Sequence, residues 1–526
     1  MRAGVFISLV LSLLLFPLPL GSQTSPLRIA VHTDEGPLNP FTFRTALGYN
    51  LLTLVFDTLL WPDADNVPRP SLAEHVESDR SGTRWTVRLR RNVRWHDGRP
   101  LTAEDVKFTF EYAARHRHPN WTVQVEPVQR IELTGPYTLR ILLREPVASF
   151  RNAPLASLPI LPRHVWEEVL EPTRFTGPMV GSGPYRLLEY VSGRFYRLRA
   201  NEAYFGGQPR PEEIVLPILP SADATFLAFE AGELDAFSRN LAPELVPRFY
   251  RLPGVRLLRG PGFASIVLQF NHERFPWNER AFRRAVALSL NLKYLTDLLL
   301  LGFGVPGNPA FVHPATPWWN PRIRARYDPE EARRLVEGLG LVDRDGDGVR
   351  ETPDGRRMAF SILAQSNDPV RIRAAELIGV ILRRQGIHAE TQVLDFATVQ
   401  ARIFPDQDAC RPRAYEMAIW GRSAITQLDP DWLRRLFHGD CRIGVNNQAA
   451  YRNPEFDRLA DRQALTTDER KRLRLVRRMQ EILAEDVPIV TLFYPDLLFA
   501  VRPQRYAGWV FQKGQGILHK LSFLAR

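Results

Sequence analysis

The fold of this chain is indicated first by the stretch Gly98-Arg99-Pro100-Leu101-Thr102-Ala103-Glu104-Asp105-Val106. Its first residue follows Asp97, and this pair predicts a turn that reverses the chain. Thr102 and Asp105 have the spacing of a capping box, which predicts the start of a helix. Before the turn, residues 85–89 alternate between apolar and polar side chains, as in a half-buried strand. Further along the chain, segments whose apolar residues recur with the period of a strand alternate with segments that have the period of a helix. This order indicates mixed α/β organisation.

Four further segments follow in order: Gly181-Ser182-Gly183-Pro184-Tyr185, Asn201-Glu202-Ala203-Tyr204-Phe205-Gly206-Gly207, Gly232-Glu233-Leu234-Asp235 and Asn453-Pro454-Glu455-Phe456-Asp457. Each alone is ordinary turn and cap chemistry. Together, with these spacings, the five segments resemble the extracytoplasmic solute-binding proteins of the dipeptide- and oligopeptide-binding family. The resemblance covers almost everything after the leader. It implies an α/β, two-lobed periplasmic-binding-protein fold, type II-like with an extra satellite subdomain, and a ligand cleft between the lobes.

The same resemblance implies that the lobes are discontinuous in sequence. Lobe I is expected to comprise residues 26–45, 178–268 and 495–526. Residues 46–177 would form the satellite subdomain and residues 269–494 lobe II, with Phe270 and Tyr494 at the crossovers. The family resemblance also implies that the protein is a monomer.

The first residues predict export. Arg2 precedes an uncharged stretch over residues 5–20 that is interrupted by Pro17 and Pro19. Because a membrane-spanning helix needs about 20 unbroken apolar residues, this pattern favours a cleaved signal peptide, residues 1–25, over a retained membrane anchor. The mature protein is therefore expected in the periplasm or another extracytoplasmic space.

Length, composition and charge indicate a globular protein of at least two lobes. A chain of 526 residues is too long for one hydrophobic core, so at least two lobes are required. An apolar content of 44% predicts a globular protein. The formal charge of +11 is spread along the chain, without a basic run interleaved with stacking aromatic residues. Nucleic acid is therefore not an expected partner.

Two cysteines, Cys410 and Cys441, occur in a chain that is expected to be exported. Disulfides persist outside the cytoplasm, so the two residues are candidates for a pair. Two separate buried thiols remain the alternative, because sequence does not show which side chains face each other.

Motifs of catalysis are absent from the sequence. It contains no His-Glu-x-x-His zinc helix, no phosphate-binding Gly-rich loop ending in Lys-Ser or Lys-Thr, and no Gly-x-Ser-x-Gly elbow. No cofactor is expected to be required. A non-enzymatic binding protein is therefore favoured over a secreted hydrolase that acts on peptides or glycans. An envelope chaperone that holds unfolded peptides is a further alternative.

One local motif indicates a hard cation. Aspartates alternate at Asp343, Asp345 and Asp347, with glycine following. With Asp343 as the first position of a calcium loop, the remaining positions fall at Val349, Glu351 and Asp354. These residues predict a structural calcium site, and the alternative is an acidic turn whose aspartates cap backbone amides.

The resemblance also implies positions for ligand-binding residues in the cleft. They are Thr33, Asp34 and Glu35 in the loop after the first strand, Phe396 over the ligand, and Trp420 with Gly421 at a strand end. Core packing is the alternative for the two aromatic residues. Arg371 is near where a peptide carboxylate could be held, although a solvated helix start is the alternative there.

One departure concerns the amino group of a peptide ligand. In the peptide binders that this chain resembles, an aspartate four residues before the proline of Asp-Pro anchors the ligand's ammonium group. Thr426 occupies this position here, and Asp429 or Asp431 could replace the anchor. The function implied is capture of peptides and their delivery to the membrane permease of an ATP-driven importer. An oligosaccharide or another amine-free solute is the alternative ligand.

Overall fold

The computed structural model describes residues 25–118 and 120–524. The predicted signal peptide, residues 1–25, lies outside the described residues except for Ser25. Among the described residues, no helix has both the length and the apolar character needed to cross a membrane.

The strands of the described chain are β1 (Leu27–Ala30), β2 (Leu60–Pro62), β3 (Pro68–Pro70), β4 (Ala73–Ser78), β5 (Arg84–Leu89), β6 (Val128–Gly135), β7 (Thr138–Leu143), β8 (Tyr185–Val191), β9 (Phe195–Ala200), β10 (Glu213–Pro217), β11 (Ala236–Phe237), β12 (Arg256–Pro261), β13 (Ser265–Phe270), β14 (Gly304–Pro306), β15 (Ala359–Gln365), β16 (His388–Leu394), β17 (Met417–Arg422) and β18 (Ile489–Val501). Its α-helices are α1 (Ala46–Val55), α2 (Ala103–Arg115), α3 (Trp121–Val125), α4 (Pro154–Ser157), α5 (Arg163–Trp166), α6 (Ala222–Glu230), α7 (Val246–Tyr250), α8 (Arg280–Ser289), α9 (Leu292–Leu300), α10 (Pro329–Glu337), α11 (Pro369–Arg383), α12 (Phe396–Ile403), α13 (Asp431–Phe437), α14 (Pro454–Ala464) and α15 (Glu469–Asp486).

A long mixed sheet runs through both lobes in the order β16-β15-β17-β13-β18-β11-β1-β10-β9-β8. The strand β18 joins its two halves, because its first residues pair with β13 and its last residues pair with β12. Almost all of its thirteen residues are buried. A continuous apolar run such as this one is what a strand covered on both faces requires.

Two crossovers between the lobes are predicted, at Phe270 and Tyr494. Residues 262–264 connect β12, which pairs with the last residues of β18, to β13, which pairs with its first residues. Phe270 is the last residue of β13, whose whole length also pairs with β17. The second predicted crossover, Tyr494, lies inside β18 between its two pairing regions.

The satellite subdomain contains a four-stranded sheet in the order β4-β5-β7-β6. Burial alternates along β5 as the sequence predicts, with Trp85, Val87 and Leu89 buried. The predicted capping box opens α2, where the Thr102 amide donates to Asp105 at 2.9 Å. The satellite and lobe I share one hydrophobic core, so the two units are packed together.

Lobe II buries both faces of its part of the sheet. Leu268 belongs to the core that contains α8 and α11, while the next residue back, Val267, belongs to the core that contains α13 and α14. At the start of α15, Asp468 caps the helix by accepting from the Lys471 amide at 2.8 Å.

The two cysteines are paired. Cys410 and Cys441 form a disulfide with their Cα atoms 5.1 Å apart, within the range usual for such bonds. The bond joins the segment after α12 to the segment after α13, and Cys441 packs against the second core of lobe II. Of the two alternatives that the sequence left open, pairing is the one observed.

Replacing both cysteines by serine is expected to lower the free energy of unfolding by about 3 to 4 kcal/mol, because the bond closes a loop in the unfolded chain. Cys410 and Cys441 are 31 residues apart in the sequence, which sets the size of this loop. Urea unfolding without reductant measures the difference. Reductant should destabilise the natural protein by a similar amount and leave the double variant unchanged. Equal stability of the two proteins would contradict a stabilising role for the bond.

Candidate functional site

An aromatic pair marks one side of the expected cleft in lobe II. The rings of Phe396 and Trp420 are stacked, with centroids 5.9 Å apart and planes 14° from parallel. Phe396 is the first residue of α12, which Asp395 caps by accepting from the Thr398 amide at 3.0 Å. Trp420 is buried in β17, whereas about half of Phe396 is exposed, at 49%. The exposed part of the stack is therefore Phe396, while Trp420 is covered.

Gly421 lies directly under a guanidinium group. A Cβ atom at Gly421 would be only 2.3 Å from Nη2 of Arg371, so a larger residue here would displace that side chain. Arg371 lies in the first turn of α11 and pairs with Asp368 at 2.8 Å. Burial lowers the pKa of Arg371, and the charge of Asp368 opposes this effect. The two predicted residues are thus in contact.

The strand that carries these residues has an unpaired edge. β17 pairs with β13 over its whole length, from Met417 to Arg422. It pairs with β15 only at Met417 and Ala418. In the described chain, the residues from Ile419 to Arg422 therefore have a strand partner on one side only.

Arg422 follows the predicted residues Trp420 and Gly421 but was not among them. This arginine ends β17, is buried, and donates from Nη2 to Oε1 of Gln269 at 2.6 Å. No carboxylate of the described residues forms an ion pair with it, and its Nε has no hydrogen-bond partner there. Burial lowers its pKa to about 10, although Tyr415 opposes this. Its position beside Trp420-Gly421 was the available signal.

The predicted residues of lobe I lie in the loop after β1. The carboxylate of Asp34 accepts from the Gly193 amide at 2.7 Å and from the hydroxyl of Tyr190 at 2.7 Å. Glu35 is buried and accepts from the Arg44 amide at 3.1 Å, next to the start of α1. Both carboxylates are thus bound within the protein. Asp34 and Glu35 line a cavity of about 480 Å³. Thr33, the first of the three predicted residues, lies two residues after the last bridge of this strand to the sheet, at Val31.

The two aspartates that could replace the missing ligand anchor are both paired within lobe II. Asp429 accepts from Nη2 and Nη1 of Arg472 at 2.6 and 3.0 Å. Burial raises the pKa of Asp429, but the charge and hydrogen bonds of Arg472 outweigh it, so the net pKa is below the ordinary value. Asp431 is near Arg435, at 3.5 Å. Asp429 therefore already has a counter-charge within the chain, and its role as an ammonium anchor stays a prediction.

Thr426 occupies the position of the anchor but has the surroundings of a structural residue. It lies in a short 3-10 helix, Ala424–Gln427, and is buried. Its hydroxyl donates to the carbonyl of Ser423 at 2.7 Å. This side chain carries no charge that could pair with an ammonium group.

The acidic loop brings together four of the predicted metal ligands. One oxygen from each of Asp343, Asp345, Asp347 and Glu351 lies within 4.8 Å of the others. Asp354, predicted as the twelfth loop position, is not in this group and accepts instead from the hydroxyl of Thr352. In the structure Asp354 therefore lies apart from the four converging carboxylates, and the next residue, Gly355, has a positive φ of 84°.

The family profile described as "Bacterial extracellular solute-binding proteins, family 5 Middle" matches residues 67–442. The chain belongs to this family. The oligopeptide-binding protein AppA of Bacillus subtilis is 24% identical over 453 residues, covering 84% of this chain and 80% of AppA. The nickel-binding periplasmic protein of Escherichia coli is 24% identical over 491 residues, covering 90% of this chain and 89% of that protein.

Solved structures support the same fold. The ABC transporter substrate-binding protein CtaP of Listeria monocytogenes superposes with a TM-score of 0.82 at 21% identity, covering 95% of this chain and 99% of CtaP. AppA in complex with a nonapeptide gives a TM-score of 0.72 at 21% identity, covering 95% of this chain and all of AppA. The predicted two-lobed α/β fold is confirmed, and the protein is an extracytoplasmic solute-binding protein of the ATP-driven importer type, not an enzyme.

Proposed function

We propose that this protein, acting as a monomer, captures peptides between its lobes and delivers them to the membrane permease of an ATP-driven importer. The observation that carries the proposal is the half-paired end of β17, where residues 419–422 lack a second strand partner in the described chain. A peptide in extended form has the alternating donors and acceptors that such an edge requires. Closure of the lobes would then bury the peptide by a hinge motion.

The side chains around this edge suit a peptide as well. The stacked Phe396 and Trp420 offer an apolar surface for a ligand side chain. Arg371 and Arg422 supply positive charge next to Gly421, and Arg422 has no carboxylate partner in the described residues. A ligand carboxylate would satisfy such a group through charge-assisted hydrogen bonds. The chemistry of the edge therefore favours a peptide held by its backbone and its acidic end.

The relatives support this class of ligand. AppA is named an oligopeptide-binding protein, and its solved structure holds a nonapeptide. Family members with other named ligands, such as the nickel-binding protein, make a direct test necessary. We further propose export through the predicted signal peptide, residues 1–25, which N-terminal sequencing of the mature protein would test.

The test is peptide affinity of the purified protein and of its Phe396→Ala variant, measured by calorimetry. We expect the natural protein to bind a peptide recovered from it by denaturation and mass spectrometry. Phe396→Ala should weaken that binding by about tenfold or more, because a stacked aromatic group at an interface contributes roughly 1.4 kcal/mol or more. The exposed ring is at the start of a helix, so its removal should leave the fold intact.

A matched control is Tyr294→Ala, which removes another exposed aromatic ring of lobe II, from α9. This variant should bind the peptide as the natural protein does. Equal weakening by both substitutions, or no binding of any recovered peptide, would contradict the proposal.

An amine-free polar solute, such as an oligosaccharide, is the second candidate ligand. The observation that favours it is the buried hydroxyl of Thr426 at the position where related peptide binders carry a carboxylate. The recovered molecules distinguish the two candidates. Sugars instead of peptides in the eluate would retain the importer role and reject the peptide.

A further inference from the structure

The loop between α10 and β15 carries a cluster of carboxylates that has no part in the proposed capture of a solute. It lies outside the aromatic and arginine groups of the cleft and belongs to lobe II. The side-chain oxygens of Asp343, Asp345, Asp347 and Glu351 converge within 4.8 Å. Carboxylates at this separation repel one another unless a cation lies between them.

Glu351 gives a second, independent indication. Its side chain is only 6% exposed, and its Oε1 has no hydrogen-bond partner among the described residues. The other oxygen, Oε2, accepts from the Arg344 amide at 2.9 Å, which fixes the carboxylate in place. A buried carboxylate oxygen without a partner costs free energy, because it has lost its water without gaining a donor. A cation in the cluster would supply the missing partner.

The loop carries more negative than positive charge, which also favours a bound cation. Asp347 forms an ion pair with Arg357. In the described chain, no basic side chain pairs with Asp343, Asp345 or Glu351. A dipositive ion would offset most of the remaining negative charge.

The aspartates of this loop also accept from backbone amides, as the alternative interpretation of the sequence, an acidic turn, expects. Asp343 accepts from the amides of Gly346 and Gly348 at 2.8 and 2.9 Å, and both glycines have positive φ. These bonds hold the loop in a tight turn around the carboxylates. The carbonyl of Val349 accepts no hydrogen bond from the described residues, so it is free to act as a fifth oxygen ligand.

We propose that this loop binds one calcium ion through Asp343, Asp345, Asp347, Glu351 and the carbonyl of Val349. Calcium takes six to eight oxygen ligands in flexible geometry, so one or more water molecules would complete the shell. Magnesium demands stricter octahedral geometry and retains more water, so it suits this set of ligands less well. The ion would join the end of α10 to the start of β15.

Calorimetry on the full mature protein after dialysis against a chelator tests the site. We expect one calcium ion per chain, with a dissociation constant of about 10⁻³ M or tighter, as in extracellular modules. A rise in melting temperature at roughly 10 mM calcium chloride should accompany binding. Magnesium chloride at equal concentration should give a smaller rise.

Three variants separate the site from general effects on folding. Glu351→Gln and Asp345→Asn should each weaken calcium binding by about tenfold or more, since each removes a ligand charge. Asp345 is exposed, so its substitution leaves the folded loop unstrained even if Glu351→Gln folds poorly. Asp354→Asn is the matched control and should bind calcium normally. Absence of calcium binding, an equal response to magnesium, or equal weakening by Asp354→Asn would overturn the proposal.

Discussion

Replacing Asp57 by alanine is expected to lower the free energy of unfolding by about 3 to 5 kcal/mol, because it leaves a buried lysine without its counter-charge. Asp57 and Lys520 are paired at 2.7 Å, and their side chains are 0% and 2% exposed. Burial lowers the pKa of Lys520, and the carboxylate of Asp57 opposes that effect. The variant would also leave the hydroxyls of Ser182 and Tyr204 without their shared acceptor.

Urea unfolding at neutral pH measures this effect, and the chain provides a matched control. Lys293 and Asp297 form another Asp–Lys pair at 2.5 Å, but their side chains are 75% and 52% exposed. Asp297→Ala should cost less than about 1 kcal/mol, because solvent screens an exposed pair. Similar losses in the two variants would show that burial does not determine the strength of the Asp57 pair.

Two of the five segments that carry the family resemblance meet at Asp57 in the folded chain. Ser182 and Tyr204 belong to two of the five diagnostic segments and converge on the same carboxylate. In the first of these segments, a Cβ atom at Gly181 would be 1.8 Å from the Val55 carbonyl, so only glycine fits. These residues join the satellite subdomain to lobe I.

The remaining diagnostic segments have comparable structural tasks. Asp235 accepts from the Arg28 amide at 2.9 Å and so holds β1 in place. Asn453 caps α14 by accepting from the Glu455 amide at 2.9 Å. The motifs that reveal the family therefore specify the fold rather than the ligand. For that reason the architecture could be predicted from the sequence, while the ligand remains a proposal.

Local signals predicted most elements because their physical causes are local. Alternating burial in β5 and the capping box of α2 depend on residues a few positions apart. Pairing between distant strands is harder to predict. The strand β13, for example, pairs with β17, which lies far along the chain.

The candidate site shows the same division. The folded chain brings Gly421 next to Arg371 and stacks Phe396 on Trp420, while the role of these residues toward a ligand stays a prediction. The sequence places Arg422 beside Trp420-Gly421, but only the folded chain reveals that this buried arginine lacks a carboxylate partner in the described residues. The pairing of Asp429 could not be predicted, because its partner, Arg472, is distant in sequence.

Asp429→Asn is expected to lower the free energy of unfolding by about 3 to 5 kcal/mol while leaving peptide affinity unchanged. Its partner Arg472 is only 3% exposed and would keep a buried charge without a carboxylate. Replacing both residues together, Asp429→Leu with Arg472→Met, should cost much less than the single change, because apolar residues of similar size need no counter-charge. Urea unfolding and calorimetry with the recovered peptide measure the two properties separately.

Asp431→Asn is the matched control, since it changes a neighbouring aspartate whose pair with Arg435 is longer, at 3.5 Å. This variant should lose less than about 1 kcal/mol of stability and should also bind the peptide normally. A protein in which Asp429→Asn kept its stability but lost peptide affinity would restore Asp429 as the ammonium anchor. Retained affinity in both variants would mean that the ligand's amino group is held without a carboxylate from this loop, so that binding rests on the edge of β17 and the arginines beside it.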